Sequence, residues 1–183
     1  MAISIDSPDL FARLAVPLRA VVRAVLLQEK RRAGDIAVVL TGDEELRELN
    51  RGWRKIDRAT DVISFAYDEN EPDAATRPVT GDIAVSMDRV GEQAKRFRVS
   101  QGTELARLVV HGTLHLCGHD HKQAGERKTM REREESALRT VNNVAKRLDA
   151  AWPKPPKPVK AVKPMKPARA AVPAPRDVRA RAR

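Results

Sequence analysis

Every histidine in the chain falls inside one stretch, VVHGTLHLCGHDH, residues 109–121. His111 and His115 stand four apart, so on a helix both imidazoles leave the same face about one turn apart. Gly118 follows as a natural helix stop, because glycine readily takes the left-handed conformation that ends helices. A chain that turns there can bring His121 back towards the other two. Three neutral imidazoles on a bent segment make a tripod that suits one Zn2+ and leaves a fourth position for water. A single histidine on a helix is ordinarily a packed or surface side chain. Four within 13 residues and none elsewhere, at this spacing and with this glycine, favour metal binding.

An open catalytic site fits this stretch better than a closed structural one. The only cysteine, Cys117, falls about 200° round the helix from His115 and reads as a core residue. His119 and Asp120 either support the ligands from behind or belong to a solvated turn. The ligand and glycine spacing matches the H-E-x-x-H-x-x-G-x-x-H metallopeptidases, but the residue after His111 is Gly112. Those enzymes need the missing glutamate to take a proton from water at the metal. A tripod without that carboxylate argues against peptide hydrolysis and calls for another substrate or another base.

The elements that must position the tripod are legible as patterns. Residues 2–5 alternate weakly and predict a short edge strand. Ser7, Pro8 and Asp9 offer a cap and a first-turn proline for a helix over residues 9–30, whose Leu10, Leu14, Leu18, Val21, Val22, Val25 and Leu26 recur at threes and fours. Residues 35–41, 61–66 and 81–86 are β-branched apolar runs that read as strands. Asp43 can cap a brief helix to Asn50, and residues 68–80 have the composition of a flexible connection. Helical patterns cover residues 87–98, 100–117 and 126–148. Strands early and helices late predict an α+β domain: a small mixed sheet of about four strands packed with about five helices, the metal site at the end of a central helix.

Composition divides the chain in two. Lys and Arg number 35 against 25 Asp and Glu, a formal charge of +10, yet residues 151–183 hold ten of the basic residues against Asp177 alone. Residues 1–150 are therefore a near-neutral domain. Residues 151–183 form a basic tail that alternates proline with lysine and arginine, favours extended polyproline II and should be disordered in isolation. A single cysteine excludes an internal disulfide framework and fits a reducing compartment. The longest apolar region, residues 10–27, is broken by Arg13, Arg19 and Arg23, which excludes it as a membrane span. The N-terminus lacks the basic-then-apolar order of a signal peptide, so the expected location is the cytoplasm.

HGTLHLCGHDH resembles the H-G-x-L-H-L-x-G-[Y/H]-D-H signature of the YbeY family, bacterial endoribonucleases of ribosomal RNA maturation. LNRGWRKIDRATDVISFAY, residues 49–67, resembles a second family stretch, L-N-x-x-[YW]-R-x-x-D-x-x-T-D-V-L-S-F. GDIAVS at 81–86 and Met130 with Glu134 and Glu135 match more weakly. The resemblance covers residues 1–150 and leaves out the tail.

The resemblance implies a zinc-dependent, single-strand-specific endoribonuclease that matures the 3′ end of 16S rRNA and serves ribosome quality control. It implies ribosomal RNA and the small ribosomal subunit as partners, with ribosomal proteins or an assembly GTPase as further ones. His111, His115 and His121 match the metal ligands, His111 and Arg54 being the catalytic positions. Three departures stand out: His119 where tyrosine is common, Lys55 for a frequent glycine and Ala66 for a frequent proline. His119 leaves open which histidine takes the third ligand position. Arg54 could hold a phosphate oxygen by two parallel hydrogen bonds, although an arginine at a helix end is ordinarily just solvated. Asp61 and Ser64 have the same standing as Arg54, raised only by the motif. An aspartate opening a strand is commonly a turn cap, neither is taken as catalytic, and Met130 reads as core. Two rival readings survive: an rRNA-binding assembly factor with a structural zinc, and a metal-dependent hydrolase of a small substrate. The first predicts RNA binding without cleavage, the second no affinity for RNA.

Overall fold

A computed structural model describes residues 2–67 and 76–153. The Pro/Lys/Arg-rich stretch from residue 154 and most of the connection predicted at 68–80 lie outside them. The described elements are β1 (Ile3–Asp6), a 3-10 segment (Asp9–Leu14), α1 (Ala15–Gln28), β2 (Ala33–Thr41), α2 (Asp43–Arg54), β3 (Val62–Ala66), β4 (Val79–Ser86), α3 (Met87–Phe97), α4 (Gln101–Leu116) and α5 (Ala124–Ala151). The fold is α+β, a four-stranded mixed sheet with five α-helices. The strand order is β1-β2-β4-β3; β1 and β4 run parallel to β2, and β3 is the antiparallel edge.

Alternation along the strands gives the sheet two faces. Val38, Ile83 and Ser64 lie in one cross-strand row, and Val39, Ala84 and Ile63 in the next. Ile36, Val38, Leu40, Ile83 and Val85 turn into the main core with Leu18, Val21, Val22 and Val25 of α1 and Leu105, Val109 and Leu114 of α4. The opposite face carries a smaller cluster in which Leu46 and Leu49 of α2 cover Ile63, Ala84, Val39 and Phe65. Helix α4 is the central one, touching α1, α3, α5, β3 and β4. Burial on nearly every side explains its run of apolar residues.

Local chemistry departs from the sequence expectation at several helix ends. The first helix opens as a 3-10 turn with Pro8 at its cap position and no side-chain cap, so Ser7 does not act there. Asp43 is the first residue of α2 and not its cap; its carboxylate accepts from Ser86 Oγ at 2.6 Å and Arg89 Nε at 3.2 Å, tying α2 to α3. Helix α2 continues past Asn50 to Arg54 and stops at Lys55, which takes the left-handed conformation at φ 60°. Helix α5 starts at Ala124 because Gln123 and Glu126 form a reciprocal capping box. At its far end Trp152 packs edge-on against Phe11, 6.0 Å between ring centres. Among the described residues no helix is long and apolar enough to cross a membrane.

Candidate metal centre

Ser100 caps the start of α4, its hydroxyl accepting from the Thr103 N–H, and the helix carries His111 and His115 towards its far end. There the chain closes with paired bonds, Gly118 N–H to His115 carbonyl and His119 N–H to Leu114 carbonyl, with Gly118 at φ 93°. That is the glycine stop expected from the sequence, in the form of a Schellman motif. The reversal returns His121 over the helix end. Ring centres of His111 and His115 are 4.8 Å apart, those of His111 and His121 5.5 Å, and those of His115 and His121 5.1 Å. One nitrogen from each of the three rings lies within 4.8 Å of the others, close enough to share a metal ion.

The donor set fits such an ion. The Nε2 atoms of His111 and His115 face each other at 3.2 Å. Two nitrogens bonded to one tetrahedral zinc at about 2.0–2.1 Å stand roughly 3.3 Å apart. Burial, followed by the neighbouring His115, His121 and Arg107, pushes His111 down to about 4, so its ring is neutral at physiological pH. Burial likewise lowers His115, with His121 adding to it. Neutral imidazoles are the form that binds metal.

The family model for Endoribonuclease YbeY matches residues 10–142. The chain belongs to the YbeY family. It is 43% identical over 136 residues to the Endoribonuclease YbeY of Chloroflexus aggregans, covering 71% of this chain and 88% of that one. The Halalkalibacterium halodurans Endoribonuclease YbeY is 40% identical over 151 residues, covering 75% and 95%. A solution structure of the Thermotoga maritima protein TM1509 superposes with a TM-score of 0.59 at 27% identity, covering 86% of this chain and all of that one.

Not every residue named from the sequence comes to the tripod. His119 turns away: its Nε2 lies 2.8 Å from Oε2 of Glu29 at the end of α1. Burial alone would raise the Glu29 carboxyl, but bonds to His119 and Gln28 and the nearby charges of His119 and Arg133 leave it lowered. Asp120 accepts from the His121 N–H at 2.7 Å and so shapes the loop. Cys117 packs against the core, and burial pushes its thiol up to about 12. Met130 is core at 2% exposure. Arg54 ends α2, exposed and without a hydrogen bond or ion pair among the described residues. Its neighbour Trp53 rests on Phe65, 5.6 Å between rings, on the sheet face opposite α4. Strands β3 and β4 are thus packed by α2 on one face and α4 on the other. Lys55, where YbeY proteins often have glycine, holds the left-handed position with about 1 kcal/mol of strain.

Gly112 has a second meaning that the metallopeptidase comparison hid. A Cβ there would lie 2.7 Å from Ile83 Cγ2 and 2.9 Å from Ser64 Oγ, so the residue lets α4 sit directly on β3 and β4. A glutamate has no room at this position. Gly112→Ala is expected to lower stability by about 1–2 kcal/mol, overpacking outweighing the gain in helix propensity. Denaturant unfolding measures this, and an unchanged or raised midpoint would contradict such close packing.

Sequence reasoning missed the polar cluster behind His111. Arg107 Nη2 donates to Glu104 Oε1 at 2.6 Å and to Gln93 Oε1 at 3.0 Å, and Gln93 Nε2 donates to Asp61 Oδ2 at 3.1 Å. Glu104 is 1% exposed, so its pairing with Arg107 is what makes its burial tolerable. The spacing Glu104, Arg107, His111 runs along one face of α4 and was a readable signal. Glu134, from α5, is joined to that cluster only by the packing of the two helices.

Proposed function

We propose that this chain is a zinc-dependent endoribonuclease selective for single-stranded RNA, acting in the cytoplasm on the 3′ end of 16S rRNA and in ribosome quality control. The observation that carries the reading is the convergence of three imidazole nitrogens within 4.8 Å in a chain of the YbeY family. His111, His115 and His121 are the proposed ligands of one zinc ion per chain. Zinc bound there supplies Lewis acidity, bringing the pKa of water to roughly 7 and polarising a phosphoryl oxygen. His111 and His115 contribute partly buried nitrogens that burial keeps below the ordinary imidazole range, on a helix end fixed by Gly118, and His121 adds an exposed nitrogen from the loop beyond it. Arg54, unengaged within the described fold, is proposed to grip a non-bridging phosphate oxygen through its planar fork. Small ribosomal subunits are the proposed setting, with ribosomal proteins or an assembly GTPase as companions. The test compares a duplex bearing a single-stranded 3′ extension with the same duplex blunt-ended. Cuts confined to the extension support the reading, and equal cutting of both refutes the strand selectivity.

Residues 151–183 carry nine of the ten net positive charges, and we propose that they tether the domain to RNA. Each phosphate contact on a single strand contributes about 0.7 to the slope of log affinity against log salt. A chain ending at residue 153, which keeps Trp152 on Phe11 and loses all ten basic residues of the tail, is expected to keep its zinc and its cut site while binding RNA more weakly and with a shallower salt slope. Identical slopes in titrations of the two proteins would mean the tail makes no phosphate contacts.

A further inference from the structure

We infer that Glu134 is the positioning residue of the metal centre: its carboxylate takes the hydrogen bond of the His111 Nδ1–H and so keeps Nε2 bare and aimed at the ion. The inference rests on the reading of His111 as a zinc ligand. His111 Nδ1 and Glu134 Oε1 are both buried and both lack a hydrogen-bond partner. They lie 3.8 Å apart. Orphaned buried polar atoms are rare in native proteins, and two of them facing each other point to a direct bond closed by a sub-ångström side-chain shift.

The tautomer follows from the surroundings. Nε2 of His111 is committed to the tripod, 3.2 Å from Nε2 of His115. With the ring proton on Nε2, Nδ1 would present a lone pair to a carboxylate oxygen, acceptor against acceptor in a dry setting. With the proton on Nδ1, both orphans are satisfied and Nε2 is free for metal. Arg107 holds the carboxylate in reach, its Nη1 3.8 Å from the same Oε1 while Glu104 and Gln93 anchor its other nitrogens. Carboxylate partners of this kind orient metal-bound histidines and raise their basicity, and losing one typically weakens metal binding about 10–100-fold.

The experiment uses the full chain, wild type and Glu134→Gln. Zinc affinity is read by chelator competition, the zinc-free fold by thermal melting, and the histidine tautomers by long-range 1H–15N spectra of zinc-free protein at pH 8. The expected result is a wild-type His111 protonated on Nδ1 and a variant binding zinc 10–100-fold more weakly, with part of His111 moved to the Nε2–H form. An unlowered melting temperature then separates positioning from a structural role, and a lowered one with unchanged tautomer overturns the proposal. Unaltered zinc affinity and tautomer in the variant also overturn it. So does a wild-type His111 carrying its proton on Nε2, a result that needs no variant to fold. If wild type takes up no zinc, the ligand reading fails, and the tautomer spectra alone decide the Glu134 pairing.

Discussion

His115→Ala is expected to leave a folded protein with no measurable zinc and no RNA cleavage. The three imidazoles are the nitrogen cluster that can share an ion among the described residues, and removing one leaves two donors on a bent segment. The affinity loss should exceed the 10–100-fold typical of losing a supporting hydrogen bond. His111→Ala and His121→Ala should behave alike. His119→Ala is the informative contrast, because that ring faces Glu29 and not the tripod. It should retain zinc and cleavage and lose about 1 kcal/mol of stability, the lower end of the range for a buried acceptor losing one partner while others remain. Metal analysis of the four variants decides the assignment, and equal zinc loss in the His119 and His121 variants refutes it.

Arg54→Lys is the second large effect. Lysine keeps the charge but cannot offer two parallel donors in one plane. If Arg54 steadies a phosphate oxygen as charge builds, kcat should fall by about 10²–10³, the range seen when one preorganised donor is removed. Zinc content and melting temperature should not move, since Arg54 is exposed and makes no hydrogen bond or ion pair among the described residues. Single-turnover cleavage at saturating RNA checks the prediction. Near-normal rates would reduce the arginine to general electrostatics.

The metal stretch was legible because its signals are local. His111 and His115 share a helix face, and Gly118 sits where the chain must reverse, at φ 93°. The α1 stripe and the β-branched apolar run of β2 were readable for the same reason, since each signal is carried by residues close together in the chain. What stayed hidden depends on residues far apart in the chain. His119 meets Glu29 across 90 positions, and Glu134 reaches His111 only because α5 packs on α4. The end of α2 was placed four residues early because its stop is Lys55 in a conformation that glycine usually signals. Gly112 read as an absent base and proved to be the contact point of a helix on a sheet. Strand order, too, is a matter of which apolar faces find each other, and no single strand carries that information.

The histidine cluster is proposed to hold the zinc on which RNA cleavage depends. The most direct measurement counts zinc per chain while following cleavage of an RNA with single-stranded ends, before chelation, after it, and after zinc is returned. One zinc per chain is expected, with cleavage lost on chelation and restored in proportion to zinc rebound. Full-rate cleavage by protein stripped of its metal would contradict the account.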